Sequence, residues 1–190
     1  MEHNSREEEK IAISQPWILV VGLVLVFWWH QAPYPAQAPG NLSLPVPSGE
    51  TLVIPKLSVN APIVNASSHK EDDIQVFLRS GVVRLLGTAG PGKTGNCYIV
   101  GHSSDYDRVP GDYKMVFARL PELEAGDEIQ ISIREETFAY TVKETRVVGP
   151  SDLSVLSQNT GGRKLLTLQT SYPVGSAKQR FIVVAEQSEK

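Results

Sequence analysis

Ile129, Ile131 and Ile133 alternate with Gln130, Ser132 and Arg134, and Phe138, Tyr140 and Val142 then alternate with Ala139, Thr141 and Lys143. A period of two puts successive side chains on opposite faces, so each run predicts a strand with one face buried. The polar Arg134-Glu135-Glu136 between them predicts a hairpin. Residues 97–101, 164–170 and 181–187 are more continuously apolar and predict buried strands. Shorter strands are predicted at 51–54 and 61–64, each broken or bounded by proline. Helical patterning is confined to short pieces at 71–79, 113–120 and 151–156. Many short strands separated by turn signals predict a mainly β domain, a closed or nearly closed β-barrel rather than an α/β fold.

The N-terminal pattern is different. Trp17 to Trp29 carries no polar side chain, but thirteen residues at a helical rise reach only about 20 Å, against roughly 30 Å of hydrocarbon. Including Ile11 to Pro16 gives 19 residues, which predicts one transmembrane helix within 11–30 behind a leader at 1–10. Trp17, Trp28, Trp29 and Tyr34 fall where an interfacial aromatic belt belongs. Arg6 and Lys10 precede the run and no Lys or Arg follows until Lys56. That bias predicts a cytoplasmic N-terminus and an extracytoplasmic domain, although Glu2 and Glu7 to Glu9 make the leader acidic overall. A cleaved signal peptide is the rival, with Ala36-Gln37-Ala38 as its cleavage site. Pro39 directly after it favours a retained anchor. Residues 31–49 hold Pro33, Pro35, Pro39, Pro45 and Pro47 with almost no charge, a semi-rigid spacer. The folded domain is expected at 50–190.

Composition narrows the chemistry. With a net charge of -3 the chain has no basic surplus for gripping phosphate backbones, so nucleic acid is excluded as a partner. The single cysteine, Cys97, rules out an internal disulfide framework and a multi-thiolate metal site. Of the four histidines, His3 and His30 flank the membrane run and His69 lies in a polar loop. His102 ends the apolar strand 97–101, where a rigid element opening into a loop presents a side chain for chemistry or simply caps the strand. Residues 164–170 lead into Ser171, and Arg180 opens the next strand. An antiparallel hairpin between them would return Arg180 opposite Ser171. Spacing alone favours the plainer reading of a solvated edge arginine and a turn serine.

The order of these residues decides more than their spacing. Gly101-His102-Ser103, then Thr167-Leu168-Gln169-Thr170 before Ser171, then Arg180-Phe181-Ile182-Val183, resembles the active-site order of the sortases. The run Ser171-Tyr172-Pro173-Val174-Gly175 is most similar to class D members, which have Cys-Tyr-Pro there. Leu52-Val53-Ile54-Pro55, Ala61-Pro62-Ile63 and Gly87-Thr88-Ala89-Gly90-Pro91 also resemble the family, so the likeness runs through most of residues 50–187. It implies a membrane-anchored transpeptidase of the cell surface that needs neither metal nor organic cofactor. Its partners would be exported proteins bearing a sorting signal, commonly Leu-Pro-x-Thr-Gly, and an amine acceptor such as a cell-wall precursor or a pilin. Carried over, His102 is the general acid/base and Arg180 orients the peptide and stabilises the oxyanion. Thr170 and Tyr172 help to bind substrate, Ser171 holds the nucleophile's place, and the loop 150–163 walls the groove.

The departure falls on that nucleophile. A thiol offers some thiolate at neutral pH, whereas a serine hydroxyl reacts only if a base takes its proton during attack. The expectation is a strong loss of activity. It leaves an impaired transpeptidase or hydrolase, a peptide-binding protein without turnover, or a working serine nucleophile. Cys97 is no substitute. It lies about 16 Å from His102 along an extended strand and has the opposite parity, so it is expected to be a buried apolar residue.

Overall fold

The structure is a computed structural model that describes residues 49–104 and 111–189. The expectations of a leader, an anchor and most of the spacer fall on residues 1–48, outside the described residues. Among the described residues no helix is long and apolar enough to cross a membrane.

The alternating runs form the predicted hairpin. β5 (Glu128–Ile133) and β6 (Glu136–Val148) pair antiparallel, with Ile133 opposite Glu136. Arg134 sits at the turn with φ 53°, a left-handed conformation that non-glycine residues seldom adopt outside turns. The remaining strands are β1 (Glu50–Ile54), β2 (Val59–Asn65), β3 (Val82–Arg84), β4 (Gly95–Val100), β7 (Lys164–Tyr172) and β8 (Gln179–Gln187). They close into a barrel in the order β1-β2-β3-β4-β7-β8-β6-β5. Closure leaves no unpaired sheet edge, which suits an antiparallel-rich chain with few helices. The parallel pairs are β2 with β3 and β4 with β7.

Strand parity sorts the side chains into two apolar clusters. Leu52, Ile63, Cys97, Ile99, Ile129, Ile131, Leu166, Leu168 and Val183 fill the barrel interior. Tyr98, Val100 and Ile182 point outward, where Ile74 and Phe77 of α1 (Glu71–Phe77), the one α-helix among the described residues, and Val155 of the 150–163 loop cover them. The second cluster matters here because it covers the outer face of β4 and β8.

Three differences from the sequence reading have physical causes. Residues 113–120 are not a helix but a series of turns ending in a short 3-10 turn, Leu120–Glu122. The Phe117 amide donates 2.9 Å to the His102 carbonyl instead of closing an α-helical turn, and Pro121 has no amide to give. Residues 151–156 hold a single 3-10 turn, Leu153–Leu156, capped by Asp152, whose carboxylate accepts from the Ser154 amide at 3.0 Å. β3 was not expected, since three residues are too few to show a period.

Candidate active site

β7 and β8 pair through their whole length, and the register sets Ser171 directly opposite Arg180. The hairpin inferred from spacing is therefore present, with Tyr172 opposite Gln179 as its last pair. On the other side of β7, β4 runs parallel with Val100 opposite Gln169. The alignment continues past the end of β4. The Gly101 amide donates to the Gln169 carbonyl at 3.1 Å, and the buried Thr170 hydroxyl donates to the Gly101 carbonyl at 2.8 Å. His102 thus follows Val100 by two residues as Ser171 follows Gln169 by two. All three side chains, His102, Ser171 and Arg180, are half-buried.

Parity separates these residues from their neighbours. Ser171 and Gln169 share the outward face of β7, while Leu166 and Leu168 face the barrel interior. Thr170 is buried on the interior side of the strand. Tyr172 packs against the interior cluster, with its ring 5.7 Å from that of Phe181. The register therefore sets Ser171 beside Arg180, with the end of β4 leading to His102 alongside, and places Thr170 and Tyr172 on the opposite side of β7.

The turn between β7 and β8 is held from both sides. Arg180 Nη1 donates to the carbonyls of Ala177 at 2.9 Å and Gln179 at 3.0 Å. The Gly175 amide donates to Ser104 Oγ at 3.0 Å, which ties this turn to the segment that carries His102. Beneath them the Tyr98 hydroxyl donates to Gln169 Oε1 at 2.7 Å. Burial pushes the Tyr98 phenol well above its ordinary range, against the opposing pull of the Arg180 and Arg146 charges, so it stays protonated and a donor. Tyr98 and Gln169 escaped the sequence reading. Their signal was parity alone, since each stands an even number of residues before His102 or Ser171.

Cys97 faces the other way, into the barrel, 1% exposed. Burial pushes its thiol up to about 12, with Arg84 pulling weakly against that shift. It is a small core residue with negligible thiolate, as its parity predicted. Among the described residues no cluster of three or more His, Cys, Asp or Glu is placed to hold a metal ion.

The family model for the sortase domain matches residues 52–188. The chain belongs to the sortase family. Its relatives include Sortase D of Bacillus subtilis (strain 168), 28% identical over 153 residues, which cover 77% of this chain and 69% of that one. A Clostridium perfringens Sortase D5 transpeptidase superposes with a TM-score of 0.60 at 30% identity, over 75% of this chain and 79% of the other. Sortase C-1 from Actinomyces oris gives a TM-score of 0.64 at 28% identity, over 76% of both chains. The likeness is greatest to class D sortases, and the barrel is the sortase fold. Sortases are cysteine transpeptidases acting on sorting-signal substrates, pilins among them. In this chain serine stands directly before the Tyr172-Pro173 pair, where the class D pattern has cysteine.

Proposed function

We propose that this chain is an outward-facing, single-pass membrane protein that engages the C-terminal sorting signal of exported proteins in the manner of a sortase. It is a transpeptidase or hydrolase whose acyl-transfer step is impaired by Ser171. The observation that carries the reading is the ladder pair Ser171–Arg180 beside the β4 end that leads to His102. In this arrangement Ser171 attacks the scissile carbonyl, His102 takes the hydroxyl proton and returns one to the leaving amine, and an amine acceptor resolves the ester. Arg180 keeps Nε and Nη2 for the oxyanion, since only its Nη1 bonds the β7–β8 turn. Thr170, buried and bonded to the Gly101 carbonyl, fixes the end of β7, and the half-buried Tyr172 beside Ser171 helps to bind the peptide.

Ser171 itself favours a second reading, in which the groove holds sorting peptides or a surface partner without turnover. One experiment separates the two. Cleavage and binding of a Leu-Pro-x-Thr-Gly peptide are measured for the full chain as given, for Ser171→Cys and for each form carrying His102→Ala. The expected result is peptide binding by the serine form, with cleavage raised by several orders of magnitude in Ser171→Cys and abolished again by His102→Ala. Equal turnover by the serine and cysteine forms would make Ser171 a competent nucleophile. Absence of binding in all forms would remove the sortase reading of the groove.

A further inference from the structure

The 150–163 loop leaves the barrel at the candidate site. Val148, the last residue of β6, lies opposite Arg180, so Gly149 and Pro150 start the loop beside that residue. The loop then crosses the outer face, where Val155 is buried with Tyr98 and Ile182. It rejoins the barrel as β7 at Lys164, opposite Gly95 at the start of β4. It therefore runs from the site to the other end of the barrel.

Its two halves are held very differently. From Val155 onward the loop is bonded to β4. Asn96 Nδ2 donates to the Val155 carbonyl at 3.0 Å, and the Gly95 amide donates to the Arg163 carbonyl at 3.1 Å. Between these ties the Gln158 side chain makes four hydrogen bonds. Its Oε1 accepts from the amides of Ala89 at 3.2 Å and Asn96 at 3.1 Å. Its Nε2 donates to the carbonyls of Asn96 at 3.0 Å and Leu156 at 3.1 Å. Two donors and two acceptors fix which way the amide points, since a flipped amide would satisfy none of them. Residues 149–154 have no such tie. Among the described residues their hydrogen bonds stay within the loop: the Asp152 carboxylate accepts from Ser154, and the Asp152 amide donates to the Gly149 carbonyl at 3.2 Å. Leu153 is 72% exposed, and a Cβ at Gly149 would meet nothing.

We infer that Gln158 is a positioning residue for the peptide, clamping the far half of the loop to β4 so that the near half, 149–154, stands ready beside Arg180. This rests on the function proposed above. A peptide whose scissile carbonyl lies at Ser171 and Arg180 meets residues 149–154, because they follow directly on the strand position opposite Arg180. With no bond of its own to the barrel, the near half inherits its place from the clamp. A segment ordered in advance adds no ordering cost when the peptide binds, whereas a loosened one must be fixed at each encounter. Gln158 itself acts from a distance. Its partner Asn96 stands six residues before His102, about 20 Å along an extended strand. Its loss should therefore be read in binding and KM, not in kcat.

Peptide binding to the full chain is read by fluorescence anisotropy with a labelled Leu-Pro-x-Thr-Gly peptide, and steady-state cleavage is followed in the Ser171→Cys background. Gln158→Ala is expected to weaken binding and raise KM about fivefold, with kcat held within about twofold. Gln158→Glu keeps an acceptor for the two amides but sets a carboxylate oxygen against two carbonyls, so it should behave like alanine. Gln158 is exposed, so neither change opens a hole in the core. A merely structural loss would reduce the active fraction, and so the apparent kcat, without moving KM. Unchanged binding and KM in both variants, or an effect confined to kcat, would overturn the positioning role while the sortase reading stands. Parent-like affinity in Gln158→Glu would overturn the four-bond clamp. Failure of the parent chain to bind the peptide, and of its Ser171→Cys form to cleave it, would remove the function proposed above and this role with it.

Discussion

Gly101 joins the barrel to the candidate site, and replacing it by alanine tests that join. A Cβ built there would lie 2.5, 2.7 and 2.9 Å from three ring carbons of Phe117. Phe117 is fully buried in the interior cluster. Carbon atoms pack comfortably at about 3.5–4.0 Å, so ring or strand must move by about 1 Å. Overpacking of this size costs typically about 1–3 kcal/mol. Gly101 does not occupy the left-handed region, so alanine meets no backbone strain and recovers about 0.4–1 kcal/mol by restricting the unfolded chain. The net expectation is a loss of about 1–2 kcal/mol. The damage should also reach the site, because the Phe117 amide holds the His102 carbonyl at 2.9 Å. In the Ser171→Cys background a displacement of about 1 Å should lower turnover tenfold or more.

Urea unfolding followed by circular dichroism measures the stability term, with an unchanged slope showing that only the native state was affected. Gly149→Ala is the control, since nothing lies within 4 Å of its Cβ position and its φ is ordinary. It should be neutral or slightly stabilising. Phe117→Leu makes room at the clash, so Gly101→Ala combined with it should cost clearly less than the two single changes added together. Strict additivity, or a Gly101→Ala protein as stable as the parent, would refute the packing argument. A destabilised protein with unaltered turnover would refute the link to His102.

Two further expectations follow from the buried polar groups and the thiol. Asn96→Ala should cost about 2–4 kcal/mol in the same urea assay, because the Thr167 hydroxyl and the Val155 carbonyl both lose buried partners at 2.8 and 3.0 Å; it should also weaken peptide binding by loosening the 150–163 wall. Cys97 should resist iodoacetamide at pH 8 in the native protein and react once unfolded, with Cys97→Ala leaving peptide binding and turnover unchanged; rapid native alkylation would contradict its burial.

Legibility from sequence followed the strength of the period. β5 and β6 were plain because their alternation reports a sheet with one covered face, and the turn between them carries three polar residues. The Ser171–Arg180 pairing was legible because two apolar runs flank a short loop, which leaves little freedom in register. The error at 113–120 arose from a single long-range bond, Phe117 to His102, that competes with a local helix and leaves no trace in the local pattern.

The placement of Ser171 bears on how its oxygen should be understood. The side chain is half-buried on the outer face and belongs to neither apolar cluster, so exchanging oxygen for sulfur there disturbs no core packing. The bonds that hold the site all come from other residues: Thr170 to Gly101, Gly175 to Ser104, Arg180 to Ala177 and Gln179. None depends on the identity of residue 171. Stability therefore gives serine no evident advantage over cysteine, and the consequence of the difference is chemical. A thiol near its ordinary pKa supplies a fraction of thiolate that a hydroxyl cannot match, whereas groove, register and guanidinium are the same for both. Binding and turnover should accordingly separate cleanly at this one atom, with peptide affinity nearly equal in the two forms and the rate of acyl transfer far apart.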